Sequence, residues 1–223
     1  MHVKYALGDL LMLDSPDTGT TRYAYDSAGN RVSRRDAKGV EVFYGYDALN
    51  RLTSTDYLDD TLDVSLSYDE TTNGIGRFST MTDGSGLTEY GYDYRGNLTS
   101  VQTTRDGLTH TTRYTYNGAD QLMSITYPSG RTVDYQRNTL GQISGVTTTL
   151  NGETQTLASN IGYAPFGPMT GLTFGNGVPM NRHLDLDYRL AANVHQGVFE
   201  QGFTFDAADN ISVIDDNLEC SVP

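Results

Sequence analysis

The sequence predicts an all-β fold, a repetitive antiparallel β-hairpin meander of about ten units. Three observations carry this prediction. A Tyr-Asp-x-x-Gly unit returns about every 21 residues, as in Tyr25-Asp26-Ser27-Ala28-Gly29, Tyr46-Asp47-Ala48-Leu49-Asn50 and Tyr92-Asp93-Tyr94-Arg95-Gly96. Between these units lies a second set of turn signals, at Asp17-Thr18-Gly19, Asp83-Gly84, Asp106-Gly107, Ser129-Gly130, Asn151-Gly152 and Asn176-Gly177. The composition, with 24 Gly, 16 Tyr and 19% charged residues, suits strands and turns and gives little support to long helices.

With the aromatic position counted as zero, the ten copies begin at Lys4, Tyr25, Tyr46, Tyr68, Tyr92, Tyr116, Arg137, Tyr163, Leu184 and Phe205. Tyr116-Asn117-Gly118-Ala119-Asp120 and Phe205-Asp206-Ala207-Ala208-Asp209 are weaker versions of the unit. Degenerate copies such as Leu184-Asp185 rest on spacing as well as on residue identity. The second position is Asp26, Asp47, Asp69, Asp93, Asn117, Asn138, Asp185 or Asp206. Asp or Asn at the first corner of a type I turn accepts hydrogen bonds from the backbone just ahead of it. The fifth position is Gly8, Gly29, Asn50, Gly96, Asp120, Gly141, Gly167 or Asp209, residues that tolerate positive φ.

A three-residue hairpin loop ending in a left-handed residue and a G1 bulge follows from this pattern. It sets position zero opposite position plus six on one sheet face. The plus-six column is Leu10, Leu52, Leu98, Leu122, Ile143, Met169, Leu190 and Ile211, the buried partners expected of a Tyr. Arg31 interrupts it, and Val32 is the expected substitute. Two residues before the aromatic stand Tyr23, Tyr44, Tyr90, Tyr114, Tyr135 and Phe203, so Tyr-x-Tyr stripes share a face, and rings stacked on successive hairpins are expected to supply cohesion.

On the outgoing strand, Leu98 and Val101, Leu122 and Ile125, and Ile143 and Val146 are spaced by three, which strict alternation sends to opposite faces. A second bulge or a sheet covered on both sides is implied. The copy at Tyr68 inserts Glu70-Thr71-Thr72-Asn73, lengthening one turn without losing register. Two strands and two turns per unit make a meander of about twenty strands. The array occupies residues 1–217, with residues 218–223 as a tail outside the repeat.

Fifteen basic residues stand against 28 acidic ones, a net charge of −13, so a phosphate backbone is a poor partner and no nucleic acid is expected. No apolar run approaches the ~20 residues of a membrane helix, and no signal sequence follows Met1. The single Cys220 excludes an intramolecular disulfide and a Cys-based zinc cluster. His2, His110, His183 and His195 lack metal-site spacing, and Asp56-Asp59-Asp60-Asp63, Asp185-Asp187 and Asp215-Asp216 lack the spacing of a calcium loop and read as solvated turns. Gly175-Asn176-Gly177 lacks the third glycine of a dinucleotide site. No strained Gly-x-Ser-x-Gly elbow supports a Ser-His-Asp triad. The sequons Asn97-Leu98-Thr99 and Asn210-Ile211-Ser212 share one column of the repeat, which the turn register already explains. No catalytic residue, cofactor or metal is expected.

Tyr25-Asp26-Ser27-Ala28-Gly29-Asn30-Arg31, Tyr46-Asp47-Ala48-Leu49-Asn50-Arg51-Leu52 and Tyr92-Asp93-Tyr94-Arg95-Gly96-Asn97-Leu98 resemble the RHS, or YD, repeat family, and the resemblance runs along almost the whole chain. It implies a continuous β-strip that spirals into a hollow shell, as in bacterial RHS polymorphic toxins, the B and C components of Tc toxins and the teneurins. The implied partners are neighbouring RHS repeats and an enclosed C-terminal cargo domain, and the implied location is secreted or at a cell surface. The resemblance also leads one to expect an Asp-Pro segment where aspartyl self-cleavage releases the cargo, and the sequence contains no Asp-Pro. With both ends inside a repeat, a fragment of a longer protein with oligomerisation-prone edges is expected. The alternative is an extracellular repeat module that binds glycans, by stacking on Tyr, or cell surfaces, although Trp is absent.

Overall fold

A computed structural model describes residues 2–6, 8–165 and 167–217. The tail at residues 218–223, with Cys220, lies outside the described residues, as do the side chains of His2 and Lys4. The chain divides into two compact units, one up to Arg113 and one from Tyr114. The first contains β1 (His2–Ala6), β2 (Asp9–Ser15), β3 (Gly19–Tyr25), β4 (Arg31–Arg35), β5 (Glu41–Tyr46), β6 (Leu52–Tyr57), β7 (Val64–Tyr68), β8 (Phe78–Asp83), β9 (Gly86–Tyr92) and β10 (Leu98–Arg105). β11 (Leu108–Tyr116) gives residues 108–113 to this unit. The second contains β12 (Leu122–Thr126), β13 (Thr132–Arg137), β14 (Ile143–Leu150), β15 (Glu153–Tyr163), β16 (Met169–Phe174), β17 (Pro179–Leu184), β18 (Leu190–His195), β19 (Phe199–Phe205) and β20 (Ile211–Asn217). Asp60–Leu62 forms one 3-10 turn, and no described helix is long and apolar enough to cross a membrane.

Within each unit every strand pairs antiparallel with the next, so the architecture is an all-β meander. The register repeats with the sequence. Tyr25 faces Arg31, Tyr46 faces Leu52, Tyr68 faces Phe78 and Tyr92 faces Leu98 in the first unit. Arg137 faces Ile143, Tyr163 faces Met169, Leu184 faces Leu190 and Phe205 faces Ile211 in the second. Tyr68 keeps this pairing although its turn is four residues longer than the others, as expected of the insertion.

A register shift beside each of these pairs answers the spacing of three. Leu98 pairs with Tyr92 and Ser100 with Gly91, which leaves Thr99 as the extra residue of a β-bulge. Leu98 and Val101 therefore stand opposite Tyr92 and Tyr90 on one face, and Ile143 and Val146 stand likewise opposite Arg137 and Tyr135. The bulge also corrects two expectations. Val32 does not replace Arg31: with Ala24 opposite Ser33, Val32 is the unpaired bulge residue, and Arg31 itself faces Tyr25. The first copy is offset by one, because Tyr5 rather than Lys4 pairs with Leu10.

The bulge gives the sheet two chemically distinct faces. One carries the Tyr and plus-six columns. Beside the bulge the other carries short side chains at several repeats, with Gly45 opposite Ser54 and Gly91 opposite Ser100. A Cβ on Gly91 would stand 2.5 Å from the Ser100 Oγ, so the strands meet there without room for a methyl group. Among the described residues only Val42 and Met180 are buried hydrophobics; the Tyr column and most of the plus-six column are half-buried, and Ile211, expected to be buried, is exposed. Within each unit the sheet is a single layer, and side chains on one strand cover only their neighbours.

Candidate functional site

The candidate site is the repeating turn, since the singled-out residues Tyr25, Asp26, Gly29, Tyr46, Asp47, Asn50, Tyr92, Asp93, Gly96, Tyr116, Asn117, Gly141, Gly167, Phe205 and Asp206 all fall in it or on its shoulder. In each turn the second residue closes the hairpin through its backbone: the Asp26 N–H donates to Asn30 O at 2.9 Å and the Gly29 N–H to Asp26 O at 3.2 Å. The same pair of bonds closes the turns at Asp47, Asp93, Asn117, Asn138, Ala164, Asp185 and Asp206. The side chain then fixes the loop from within. Asp26 Oδ1 accepts the N–H groups of Ala28 and Asn30, both at 2.9 Å, and Asp47, Asp93, Asp185 and Asp206 accept the equivalent pairs. Asn117 and Asn138 do the same with their carbonyl oxygens, so the geometry needs an acceptor and not a charge.

The fifth residue takes a left-handed backbone: φ is 86° at Gly29, 61° at Asn50, 89° at Gly96, 79° at Gly141 and 64° at Asp209. In the Leu184 copy this place falls to Tyr188, at φ 63°, a bulky residue in a conformation that favours glycine. Its hydroxyl donates to Pro165 O at 3.1 Å, and its ring leaves no room for a Cβ on Gly167, which would lie 2.8 Å from Cε1. The turn loop is not confined to this edge. The Tyr127–Arg131 and Phe174–Val178 turns, with Ser129-Gly130 and Asn176-Gly177 at their tips, close with the same bonds, while Asp106-Gly107 and Asn151-Gly152 are two-residue turns with positive φ at both positions.

Two sets of contacts join one repeat to the next. In the first, the hydroxyl of the zero-position Tyr donates to the plus-six carbonyl of the preceding repeat: Tyr25 to Leu10 O at 3.2 Å, Tyr46 to Arg31 O at 3.1 Å, Tyr68 to Leu52 O at 2.9 Å and Tyr92 to Phe78 O at 2.8 Å. In the second unit Tyr163 reaches Ile143 O at 2.9 Å, and the Arg137 guanidinium replaces the phenol on Leu122 O, also at 2.9 Å.

The second set starts one residue before plus six and was missed by sequence reasoning. Asn30 Nδ2 donates to Asn50 Oδ1 at 2.7 Å, Arg77 Nε to Gly96 O at 3.2 Å, and Gln121 Nε2 to Gly141 O at 3.2 Å. Arg51 binds Asp47 in its own turn at 2.7 Å and Asp69 in the next at 2.6 Å, and Arg189 likewise binds Asp185 and Asp209. The column Asn30, Arg51, Arg77, Gln121 and Arg189 is legible as a run of long hydrogen-bond donors, but its reach into the next turn is a property of strand spacing.

The guanidiniums double as ring covers. Arg51 lies 4.4 Å from the Tyr68 centroid, Arg189 4.7 Å from Phe205, and Arg31 4.7 Å from Tyr44 and 5.8 Å from Tyr23. Direct ring contacts are fewer than expected of stacked Tyr-x-Tyr stripes. Tyr68, Phe78 and Tyr90 meet edge-on or tilted, and Phe174, His195 and Phe199 stack. Cohesion along the strip therefore comes from hydroxyl-to-carbonyl and guanidinium-to-ring contacts, because the one-layer sheet spaces neighbouring Tyr residues with an Arg or Leu between them.

Hydrogen bonding also sets the charge state of the turns. The Asn30 side chain and backbone hold Asp26 below the ordinary carboxylate value, the Arg51 backbone N–H does so for Asp47, and the Arg51 guanidinium for Asp69. At Asp93 and Asp185 burial pushes the other way and is outweighed by Asn97 and Arg189. Arg51 is raised in turn by Asp69 and Asp47. The acidic groups elsewhere have local work: Asp59 caps Thr61, Asp63 accepts the Tyr57 N–H, and Asp56 accepts the Ser54 hydroxyl. His110 and His183 are exposed. Among the described residues no His, Cys, Asp and Glu group is placed to hold a metal ion. The sequon residues Asn97 and Asn210 donate their amides to Asp93 and Asp206 in their own turns.

Comparison with known proteins agrees with this geometry. The family described as Teneurin YD-shell matches residues 56–166, and the RHS Repeat family matches residues 6–41. No curated protein matches the chain. Among solved structures, the crystal structure of TcdB2-TccC3-TEV is similar over 94% of this chain and 12% of its own, at 18% identity and a TM-score of 0.79. The crystal structure of TcdB2-TccC3 has 19% identity, the same coverage and a TM-score of 0.79. The Photorhabdus luminescens Tc holotoxin pore gives 18% identity, 94% and 12% coverage, and a TM-score of 0.77. The chain thus spans about an eighth of the structures that it matches.

Proposed function

We propose, from the premise that this chain belongs to the RHS/YD-repeat family, that it is a non-catalytic stretch of shell wall that helps to enclose a C-terminal toxin or effector domain of a longer protein. The observation that supports this reading is the repeat-to-repeat relay. The zero-position hydroxyls of Tyr25, Tyr46, Tyr68, Tyr92 and Tyr163, and the guanidinium of Arg137, are spent on the carbonyl of the preceding repeat. Side chains used in this way hold a wall together. The same use of the Tyr column weakens the glycan reading, which needs accessible rings.

Partners follow from the construction. The neighbours of the wall are further RHS repeats, and the enclosed domain lies across one of its faces. Limited proteolysis of the intact protein tests the proposal. The segment downstream of the repeats resists protease as long as the repeats are folded and is degraded once they are opened by denaturant. A downstream segment cut at the same rate in both states rules out enclosure.

A further inference from the structure

We propose that the β3–β4 hairpin carries an oxyanion site, formed by Arg22 and Arg35, for a sulfate or phosphate group borne by a ligand. The site is independent of the wall function. In a chain of net charge −13, five basic residues, Arg22, Arg31, Arg34, Arg35 and Lys38, fall within residues 22–38, a stretch that holds only two acids, Asp26 and Asp36. Each of those carboxylates is occupied by backbone N–H groups of its own turn. The hairpin register then sets Arg22 directly opposite Arg35, on the face away from the Tyr column. Like charges in that relation destabilise a sheet unless something lies between them.

Among the described residues no carboxylate forms an ion pair with either arginine. Arg51, Arg77, Arg137 and Arg189 are consumed on carboxylates or carbonyls. Among the described residues the Arg22 guanidinium has only the Met12 sulfur, at 3.5 Å. Arg35 faces Glu41 across β4 and β5 without an ion pair. Thr20 beside them has already given its hydroxyl to Asp14 at 2.8 Å.

The two arginines border an open hollow of about 330 Å³, lined also by Thr20, Asp36, Ala37 and Gly39. On the other face of the same hairpin Arg34 half-buries its guanidinium beside Tyr23, and its Nε lies buried without a hydrogen-bond partner. A group with several acceptor oxygens, bound between two guanidinium forks, satisfies both arginines and turns their repulsion into attraction. A sulfated sugar and a phosphomonoester present the same chemistry.

Isotope-labelled Arg Nε signals, followed during titration of the 223-residue chain at low ionic strength, test the site. Inorganic phosphate and inorganic sulfate shift the Arg22 and Arg35 signals saturably, and Arg22→Gln or Arg35→Gln weakens binding at least tenfold, whereas Arg113→Gln does not. Titration with a sulfated disaccharide and with a sugar phosphomonoester names the carrier by whichever binds more tightly. Thermal unfolding supplies a readout that a merely structural role would not give. Without anion either Gln variant melts no lower than the parent chain, and phosphate raises the melting temperature of the parent chain alone. Shifts that do not saturate, equal weakening by Arg113→Gln, or a lower melting temperature of both Gln variants without anion would overturn the proposal.

Discussion

Arg51 holds two turns at once: its Nε lies 2.7 Å from Asp47 Oδ2 in its own repeat, and its Nη2 lies 2.6 Å from Asp69 Oδ2 in the next. Its guanidinium also covers Tyr68, the aromatic of that next repeat, at 4.4 Å. One side chain thus couples the hairpin that precedes it to the hairpin that follows. A planar fork can serve two carboxylates and a ring in this way, and a compact ammonium cannot. Arg51→Lys is therefore expected to lower the unfolding midpoint, and Arg51→Ala to lower it further. Urea titration of the two variants checks the order, and an unchanged midpoint in both would show that the bridge is incidental.

The Tyr hydroxyls offer a cleaner deletion, because Phe keeps the ring. Tyr68→Phe leaves the Leu52 carbonyl, and Tyr92→Phe the Phe78 carbonyl, without its donor. Each loss is expected to cost about 0.5–1.5 kcal/mol, the net worth of one intramolecular hydrogen bond. Phe205 already lacks the hydroxyl, so Phe205→Tyr serves as the comparison and should not destabilise. Equilibrium unfolding of the three variants measures this.

Acid should loosen the turns. Asp26, Asp47, Asp69, Asp93, Asp185 and Asp206 are all held below the ordinary carboxylate value of 3.8. A depressed folded-state pKa contributes stability that is complete above the unfolded value and is lost as pH falls through the folded one. Stability is therefore expected to be level above about pH 5 and to decline from pH 4 downward. Asp26→Asn should change little at neutral pH, because Asn117 and Asn138 make the same turn. It should flatten the acid slope, which melting curves across pH 2–7 would reveal.

Gly167 and Tyr188 form a pair whose coupling can be measured. A methyl group at Gly167 meets the Tyr188 ring at 2.8 Å, so Gly167→Ala is expected to cost roughly 1–3 kcal/mol through overpacking. In a Tyr188→Gly background the same change should cost less than half as much, since the ring is gone and the left-handed position is relieved. A double-mutant cycle showing strict additivity would mean that the ring moves aside freely.

The turn was legible in the sequence because its chemistry is local: Asp26 and Gly29 act on backbone within four residues of themselves. The bulge was half legible. Leu98 and Val101 announced a broken alternation, but only the pairing shows that Thr99 absorbs it and that Val32, by the same rule, is the bulge residue. The reach of Arg51 to Asp69 and of Asn30 to Asn50 was not legible, since residues about twenty apart meet only when strand spacing and bulge place neighbouring turns side by side. The half-buried Tyr face has a similar origin: a sequence pattern marks which side is apolar, not whether a second layer covers it.

Electron cryomicroscopy of the intact protein containing this chain tests the central claim most directly. The account predicts that residues 25–217 lie in the wall of a closed shell, with density inside continuous with the downstream segment. A map in which the repeats form an open strip, with the downstream segment outside it, would contradict the account.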